Sequence, residues 1–264
     1  MLSFKIYICL MKLSIVTICF NNLQDLIKTC NSVDCQLEKP YEHIIINGST
    51  NDDIKDWYNT QDSLAYRSIV NERDKGISDA FNKGILRSNG NVVHLLNSGD
   101  IYYDENAIQI VAKKFNDLSN IMWVSGNIML HRAGVWINIG KTFDKKQLYK
   151  GMRATSHPTW FVKKEVYERQ GLYKNYSIAM DYDMMCRIKD EPYAYINYTL
   201  IKFDNTGLSS SNYVNSLKQN IEVYESNFGY SIKSRVWQFR LKLIYYFLQT
   251  WLGKKAFSLK IKLS

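Results

Sequence analysis

An α/β fold with a Rossmann-like, mostly parallel central sheet flanked by helices, followed by a C-terminal amphipathic helical tail, is what this 264-residue sequence predicts. Three observations carry that expectation. Short uninterrupted aliphatic runs, the mark of strands buried on both faces, alternate with amphipathic helical patterns from the N-terminal region to residue 100. Each run stops at a polar, turn-forming loop, so three such loops collect at one edge of the sheet, where open α/β folds place their ligands. The formal charge of +9 is concentrated in the tail: from Ser231 onward there are eight basic residues and no acid, which leaves about +1 for everything before.

Residues 13–19 form the first predicted strand, and Phe20-Asn21-Asn22 turns it into a helix on which Leu23, Leu26, Ile27, Cys30 and Val33 recur at helical spacing. A second strand, 43–46, ends in Asn47-Gly48-Ser49-Thr50, and strand, helix and strand make a βαβ unit with a right-handed, parallel connection. A third strand, 67–70, leads through Asn71-Glu72-Arg73-Asp74-Lys75-Gly76 into a helix over 78–87. The run 92–96 is a fourth strand, ending in Asn97-Ser98-Gly99-Asp100. Further on, a helix is predicted over 104–115, strands over 122–130 and 135–139 joined at His131-Arg132-Ala133-Gly134, and an irregular segment over 155–160 before a helix that Gly171 terminates. A second acidic centre, Ala179-Met180-Asp181-Tyr182-Asp183, enters a helical run over 184–188; residues 203–211 read as polar loop and 213–228 as helix.

Five cysteines, Cys9, Cys19, Cys30, Cys35 and Cys186, are odd in number and fit no zinc spacing, which points to a reducing compartment. The first ten residues lack the pattern of a signal peptide, Met11-Lys12 reads as the start of the domain, and no window reaches the apolar length of a membrane span. A cytoplasmic protein is expected. The basic residues sit in the tail without a recognition motif, so nucleic acid is not an expected partner.

Asp100 stands one turn past a buried strand, and a hard oxygen ligand there suits Mg²⁺ or Mn²⁺, which take one or two carboxylates and fill their shell from a diphosphate. The blocks Ser14-Ile15-Val16-Thr17-Ile18-Cys19-Phe20-Asn21-Asn22, Ile45-Ile46-Asn47-Gly48-Ser49-Thr50-Asn51, Asp74-Lys75-Gly76-Ile77-Ser78-Asp79-Ala80-Phe81-Asn82-Lys83-Gly84 and Leu96-Asn97-Ser98-Gly99-Asp100 occur in that order. Together they resemble the family 2 glycosyltransferases of the GT-A fold, most of all the bacterial members that build surface polysaccharides. His157-Pro158, and Asp181 followed six residues later by Arg187, match two further blocks of that family. The resemblance divides the chain into a GT-A domain over 11–212, with a nucleotide-binding half 11–100 and an acceptor half 101–212, and a helical, basic tail over 213–264.

What the resemblance implies is inverting transfer of a sugar from a nucleotide-diphosphate sugar, a UDP-sugar favoured, to a hydroxyl of a saccharide or lipid-linked saccharide, in O-antigen, capsule or exopolysaccharide synthesis. Asp181 would be the catalytic base, since a carboxylate in reach of the acceptor hydroxyl takes its proton as the new bond forms. Asp100 would hold the metal. Thr17, Asn21, Asn47, Asp74, Lys75, Asp79, Lys83 and Asn97 would surround the donor, with His157 and Arg153 on the acceptor or phosphate side. Asn47 stands where the family usually has aspartate, and Asp100 is the single acid of the metal loop. Plainer readings stand beside these: Thr17 as a strand residue, Asn47 as a turn former, Asp79 and Lys83 as a surface pair, and Asp183 as the rival base. His94, inside an apolar strand, reads as a satisfied core histidine. A sugar-nucleotide binding protein without transferase activity is the alternative function.

The tail is read separately. Val236, Phe239, Leu243, Tyr246, Phe247 and Trp251 share one side of a helix whose other face carries Arg235, Arg240 and Lys242. That pattern suits either an anionic membrane surface, and hence a peripheral location on the inner face of the cytoplasmic membrane, or docking on protein.

Overall fold

Strand β1 (Leu13–Cys19) lies between β2 (Glu42–Asn47) and β4 (Val92–Leu95), parallel to both, with β3 (Arg67–Asn71) parallel on the outer side of β2. The computed structural model describes residues 11–62, 64–132, 135–152, 155–203, 212–253 and 255. Beyond β4 the sheet changes character. The three-residue β8 (Phe161–Lys163) is antiparallel to β4 and to β6 (Trp123–Arg132), which pairs antiparallel with β7 (Val135–Ile139) and parallel with β9 (Tyr193–Phe203). The short β5 (Ile101–Tyr102) closes antiparallel on β9, giving the order β3-β2-β1-β4-β8-β6-β9-β5.

Helices cover both faces because successive strand side chains point opposite ways. On one face Val16, Ile44, Ile46, Val93 and Leu95 pack on Ala80, Phe81 and Ile85 of α3 (Ile77–Arg87). On the other, Leu13, Ile15 and Val92 meet Ile108, Val111 and Phe115 of α4 (Ala107–Asp117), while Ile45 packs on Leu26 and Cys30 of α1 (Leu23–Asp34) and Ile54 of α2 (Asp53–Thr60). The second half adds α5 (Lys164–Gln170), α6 (Met180–Arg187), α7 (Tyr213–Phe228) and α8 (Ile232–Gln249). Among the described residues, no helix is long and apolar enough to cross a membrane.

Four differences from the sequence expectation have physical reasons. The sheet is parallel through β1–β4 and mixed beyond, since β8 inserts antiparallel between β4 and β6. β5, β8, β9, α2 and a 3₁₀ turn at Lys145–Lys150 were not expected: β5 and β8 are too short to show a period, and α2 buries only Ile54. α4 begins at Ala107, not 104, because the Asp104 carboxylate accepts from the Asn106 amide at 2.9 Å and holds a turn there. The acidic centre lies inside α6, not ahead of it. Residues 204–211 of the expected polar loop lie outside the described residues, and Phe203 ends β9.

Candidate active site

The carboxyl ends of β1 and β4, the first turn of α1, the start of α3 and the entry to α6 converge on a cavity of about 470 Å³. Asp100 and Asp181, 81 positions apart in the chain, both line it, along with Asn97, Ser98, Asn22, Asp25, Ser156, His157 and Ser177.

The loop that carries Asp100 is fixed from below. Gly99 takes φ 104°, a conformation glycine adopts without a side-chain clash, and its amide donates to Thr29 Oγ1 on α1 at 2.9 Å. The same hydroxyl donates to the Asp100 carbonyl at 2.8 Å, while the Asp100 amide donates to the Asn97 carbonyl at 3.0 Å. Among the described residues, the buried Asn97 Oδ1 and Ser98 Oγ have no hydrogen-bond partner. Buried polar atoms are ordinarily paired, so an all-oxygen group beside a carboxylate fits a hard divalent cation whose remaining ligands come from a diphosphate. Among the described residues, no group of three His, Cys, Asp or Glu side chains gathers to hold a metal by itself.

Asp181 occupies the first turn of α6 and accepts from the Tyr182 amide at 2.7 Å. A helix N-terminus favours a carboxylate, yet desolvation wins here and pushes its pKa up to about 6. Asp183 lies two residues on, about 200° round the helix. It is fully buried, bound by Arg187 Nε at 2.8 Å, Lys174 Nζ at 3.2 Å and Asn227 Nδ2 at 3.2 Å. Arg187 also donates to the carbonyls of Gly171 and Leu172, both at 2.9 Å. Thus of the two acids only Asp181 faces the cavity, and Asp183 ties α6 to the 171–174 segment and to α7. The approach to Asp181 is held from α7 as well: Gln219 Oε1 accepts from the amides of Ile178 and Ala179, each at 3.1 Å, and its Nε2 donates to Ser177 Oγ at 2.5 Å.

His157 shares its ring nitrogen Nε2 with the Tyr173 hydroxyl at 2.9 Å and packs against Phe81 and Trp160. Burial pulls its pKa down to about 3, so it meets a ligand as a neutral imidazole and not as a cation. Arg153 lies outside the described residues. His94 is a satisfied core histidine: Nε2 donates to the Pro158 carbonyl at 2.9 Å, which leaves Nδ1 to accept from the Tyr102 hydroxyl at 2.7 Å.

The remaining donor-side residues form a rim at the ends of β1–β3 and the start of α3, and none of them lines the cavity itself. Thr17 is fully buried against His43 Nε2 at 2.9 Å; His43 Nδ1 accepts from Arg67 Nε at 3.1 Å, so Nε2 carries the proton and Thr17 Oγ1 receives it. Its hydroxyl therefore ties β1 to β2 inside the fold, where the sequence reading had placed it at the donor. Asn21 latches two loops together through Ser49 and Thr50 at 2.8–3.0 Å. Asn47 does the same for β2 and β3, donating to Asn71 Oδ1 at 2.8 Å and accepting from the Ser49 amide at 3.1 Å. Lys83 gathers three carboxylates, Asp74 at 3.1 Å and Glu72 and Asp79 at 3.2 Å, and is more than the i,i+4 partner of Asp79. Asp74 lies so close under Gly48 that a Cβ there would meet its Oδ2 at 2.1 Å. Lys75 is exposed, and its amide donates to Asp79 Oδ2 at 2.9 Å.

Sequence reasoning did not find Asn22, Asp25, Ser98 or Gln219. Asn22 and Ser98 flank the named positions Asn21 and Asn97, and Asp25 lies one helical turn past Asn21 in the first turn of α1. Gln219 is brought to the site only by tertiary packing.

The glycosyl transferase family 2 model matches residues 14–187, which include every residue of the rim and all three cavity aspartates, Asp25, Asp100 and Asp181. Two curated relatives from Mycobacterium tuberculosis, the uncharacterized glycosyltransferases Rv1514c and MT1564, are each 27% identical over 203 residues, covering 75% of this chain and 76% of their own length. Among solved structures, Staphylococcus aureus TarS 1-349 in complex with UDP-GlcNAc superposes with a TM-score of 0.63 at 11% identity, over 83% of this chain and 68% of that one. The mannosyltransferase PcManGT from Pyrobaculum calidifontis, in complex with GDP-Man and Mn²⁺, gives a TM-score of 0.59 at 11% identity, over 96% of this chain and 80% of that one. The chain spans 45% of the longer TarS structure. With a family match over more than half its length and a GT-A fold, this chain belongs to glycosyltransferase family 2.

Proposed function

We propose that the protein transfers a sugar from a nucleotide-diphosphate sugar, a UDP-sugar in preference, to a hydroxyl of a saccharide or lipid-linked saccharide, with inversion at the anomeric carbon, in the synthesis of a bacterial surface polysaccharide. The observation that carries this reading is that Asp100 and Asp181 open into the same cavity at the carboxyl edge of β1 and β4. The complexes of TarS with UDP-GlcNAc and of PcManGT with GDP-Man and Mn²⁺ support a nucleotide-sugar donor.

Asp181 takes the proton of the acceptor hydroxyl as the new glycosidic bond forms; a carboxyl titrating at about 6 is a stronger base than an ordinary aspartate and still ionised near neutral pH. Asp100, with Asn97 Oδ1 and Ser98 Oγ, would hold Mg²⁺ or Mn²⁺, which when bound supplies positive charge for the departing diphosphate. Ser156 and Ser177 line the same cavity. The rim of Asn21, Asn47, Asp74, Lys75, Asp79 and Lys83 frames the nucleotide, with Asn21 and Asn47 held by neighbouring loops and Asp74 and Asp79 held by Lys83. The protein works in the cytoplasm, on the inner face of the membrane.

A thermal-shift panel of UDP, UDP-GlcNAc and GDP-mannose, with and without Mn²⁺, tests the proposal, because a ligand bound only by the folded state raises its melting temperature. The expected result is a Mn²⁺-dependent shift with one nucleotide that Asp100→Asn abolishes, together with donor turnover that Asp181→Asn abolishes while the shift remains. A shift with no hydrolysis or transfer under any condition favours a nucleotide-sugar binding protein, and no shift with any member overturns the reading.

A further inference from the structure

Helix α8 is docked the wrong way round for an ordinary surface helix, which hides its apolar stripe and presents its polar face. Ser234, Gln238 and Leu241 are buried against the body, and on this side Ser234 Oγ, Trp237 Nε1 and Gln238 Oε1 have no hydrogen-bond partner among the described residues. On the opposite side, Ile232, Val236, Phe239, Leu243 and Phe247 stack at the spacing of successive turns, each more than half exposed. Trp251 and Leu252 continue the apolar surface past the helix.

Charge decides what covers this stripe. At 3.6 residues per turn, Arg235 and Lys242 border one edge and Lys233 and Arg240 the other. Among the described residues Arg235 alone of these has an ion-pair partner, Glu225 at 2.7 Å. Every charged side chain from Ser231 to the end of the sequence is basic. A second copy of the helix laid on the first would set like charges face to face, whereas an anionic lipid surface receives both the stripe and its flanking cations, whose stems reach along apolar surface to a charged plane. Beside the stripe, between α7 and α8, a cleft of about 510 Å³ is lined by Lys218, which pairs with Glu222 at 3.7 Å, by Arg235 and Lys242, and by the apolar Leu217, Ile221 and Phe239.

We infer that α8 lies in the plane of an anionic bilayer, with Val236, Phe239, Leu243 and Phe247 in the headgroup–acyl boundary. This gives the peripheral location of the proposed function a defined surface, and it stands on exposure and charge whether or not the transfer chemistry is as proposed. Co-sedimentation of the full chain with vesicles tests it. Binding to phosphatidylcholine vesicles containing phosphatidylglycerol is expected to exceed binding to pure phosphatidylcholine at least about tenfold and to fall with added salt. The combined variant Phe239→Ser/Leu243→Ser/Phe247→Ser should lose at least about tenfold in vesicle binding while keeping its melting temperature and its nucleotide-induced thermal shift, since all three side chains face solvent. Lys242→Glu in combination with Arg240→Glu should lose the preference for the anionic lipid. Equal, weak binding of the unaltered chain to both vesicle types overturns the inference. So does a dimer in light scattering that the serine variant converts to monomer with vesicle binding unchanged.

Discussion

The rim at the ends of β1–β3 and the cavity beside it are built from the same kinds of residue in opposite states. In the rim, Lys83 faces three carboxylates and the amides of Asn21 and Asn47 bridge neighbouring loops, so these polar groups are answered by protein. In the cavity, Asn97 Oδ1 and Ser98 Oγ have no such answer among the described residues, and Asp181 is raised by desolvation. The rim is a frame that folding completes; the cavity retains polar groups that a ligand completes, and sites of that kind are where preorganised charge acts on a reaction.

Exchanging a residue between these two roles breaks the comparison most sharply at Asp181. Asp181→Asn should lower turnover by on the order of 10²–10⁴ with donor affinity nearly unchanged, measured by transfer kinetics and by titration of the donor. The same substitution should also stabilise the protein near neutral pH. A carboxyl whose folded pKa is raised stabilises the folded state most when protonated and loses that contribution as pH rises through about 6. The gain over the unaltered chain should therefore be about 1–3 kcal/mol near pH 7 and vanish near pH 4, read from denaturant midpoints.

Asp183→Ala sharpens the contrast from the structural side. It strands Arg187 and removes the ties to Lys174 and Asn227, at about 3 kcal/mol of stability, the low end for a broken buried pair because Lys174 is half exposed. The pH profile comes next: turnover should fall about tenfold per pH unit below about 6, and a flat profile there would remove Asp181 as the base. The smallest effect belongs to Thr17→Val, which leaves the His43 Nε2–H without its acceptor. It should destabilise by roughly 1–3 kcal/mol and leave the KM for donor unchanged.

How far the sequence reveals this molecule follows the same division. β1, β2 and β4 are short aliphatic runs because both their faces are covered, and such runs announce themselves. β9 does not: Tyr193, Tyr195, Asn197 and Lys202 make it half polar along a strand that is covered unevenly, and its register with β6 shifts twice. Asp100 and Asp181 stand out in the sequence through a strand end and a family block, and the structure brings both to one cavity. The roles of Thr17 and Asn47 do not stand out, because whether a polar side chain at a strand end turns outward or pairs inward depends on His43 and Asn71, which reach it from neighbouring strands. Gln219 was invisible for the same reason, lying 40 positions from the amide of Ala179 that it holds.

That glutamine changes where the working enzyme ends. The family match stops at residue 187, yet α7, well past it, clasps the entry to α6 through Gln219 and Asp183 through Asn227, and α8 packs back on α7. A chain cut at the family boundary would retain Asp181 and lose the brace on the turn that leads into it. The last helix, packed on α7, is thereby joined through Gln219 to the turn that leads into Asp181.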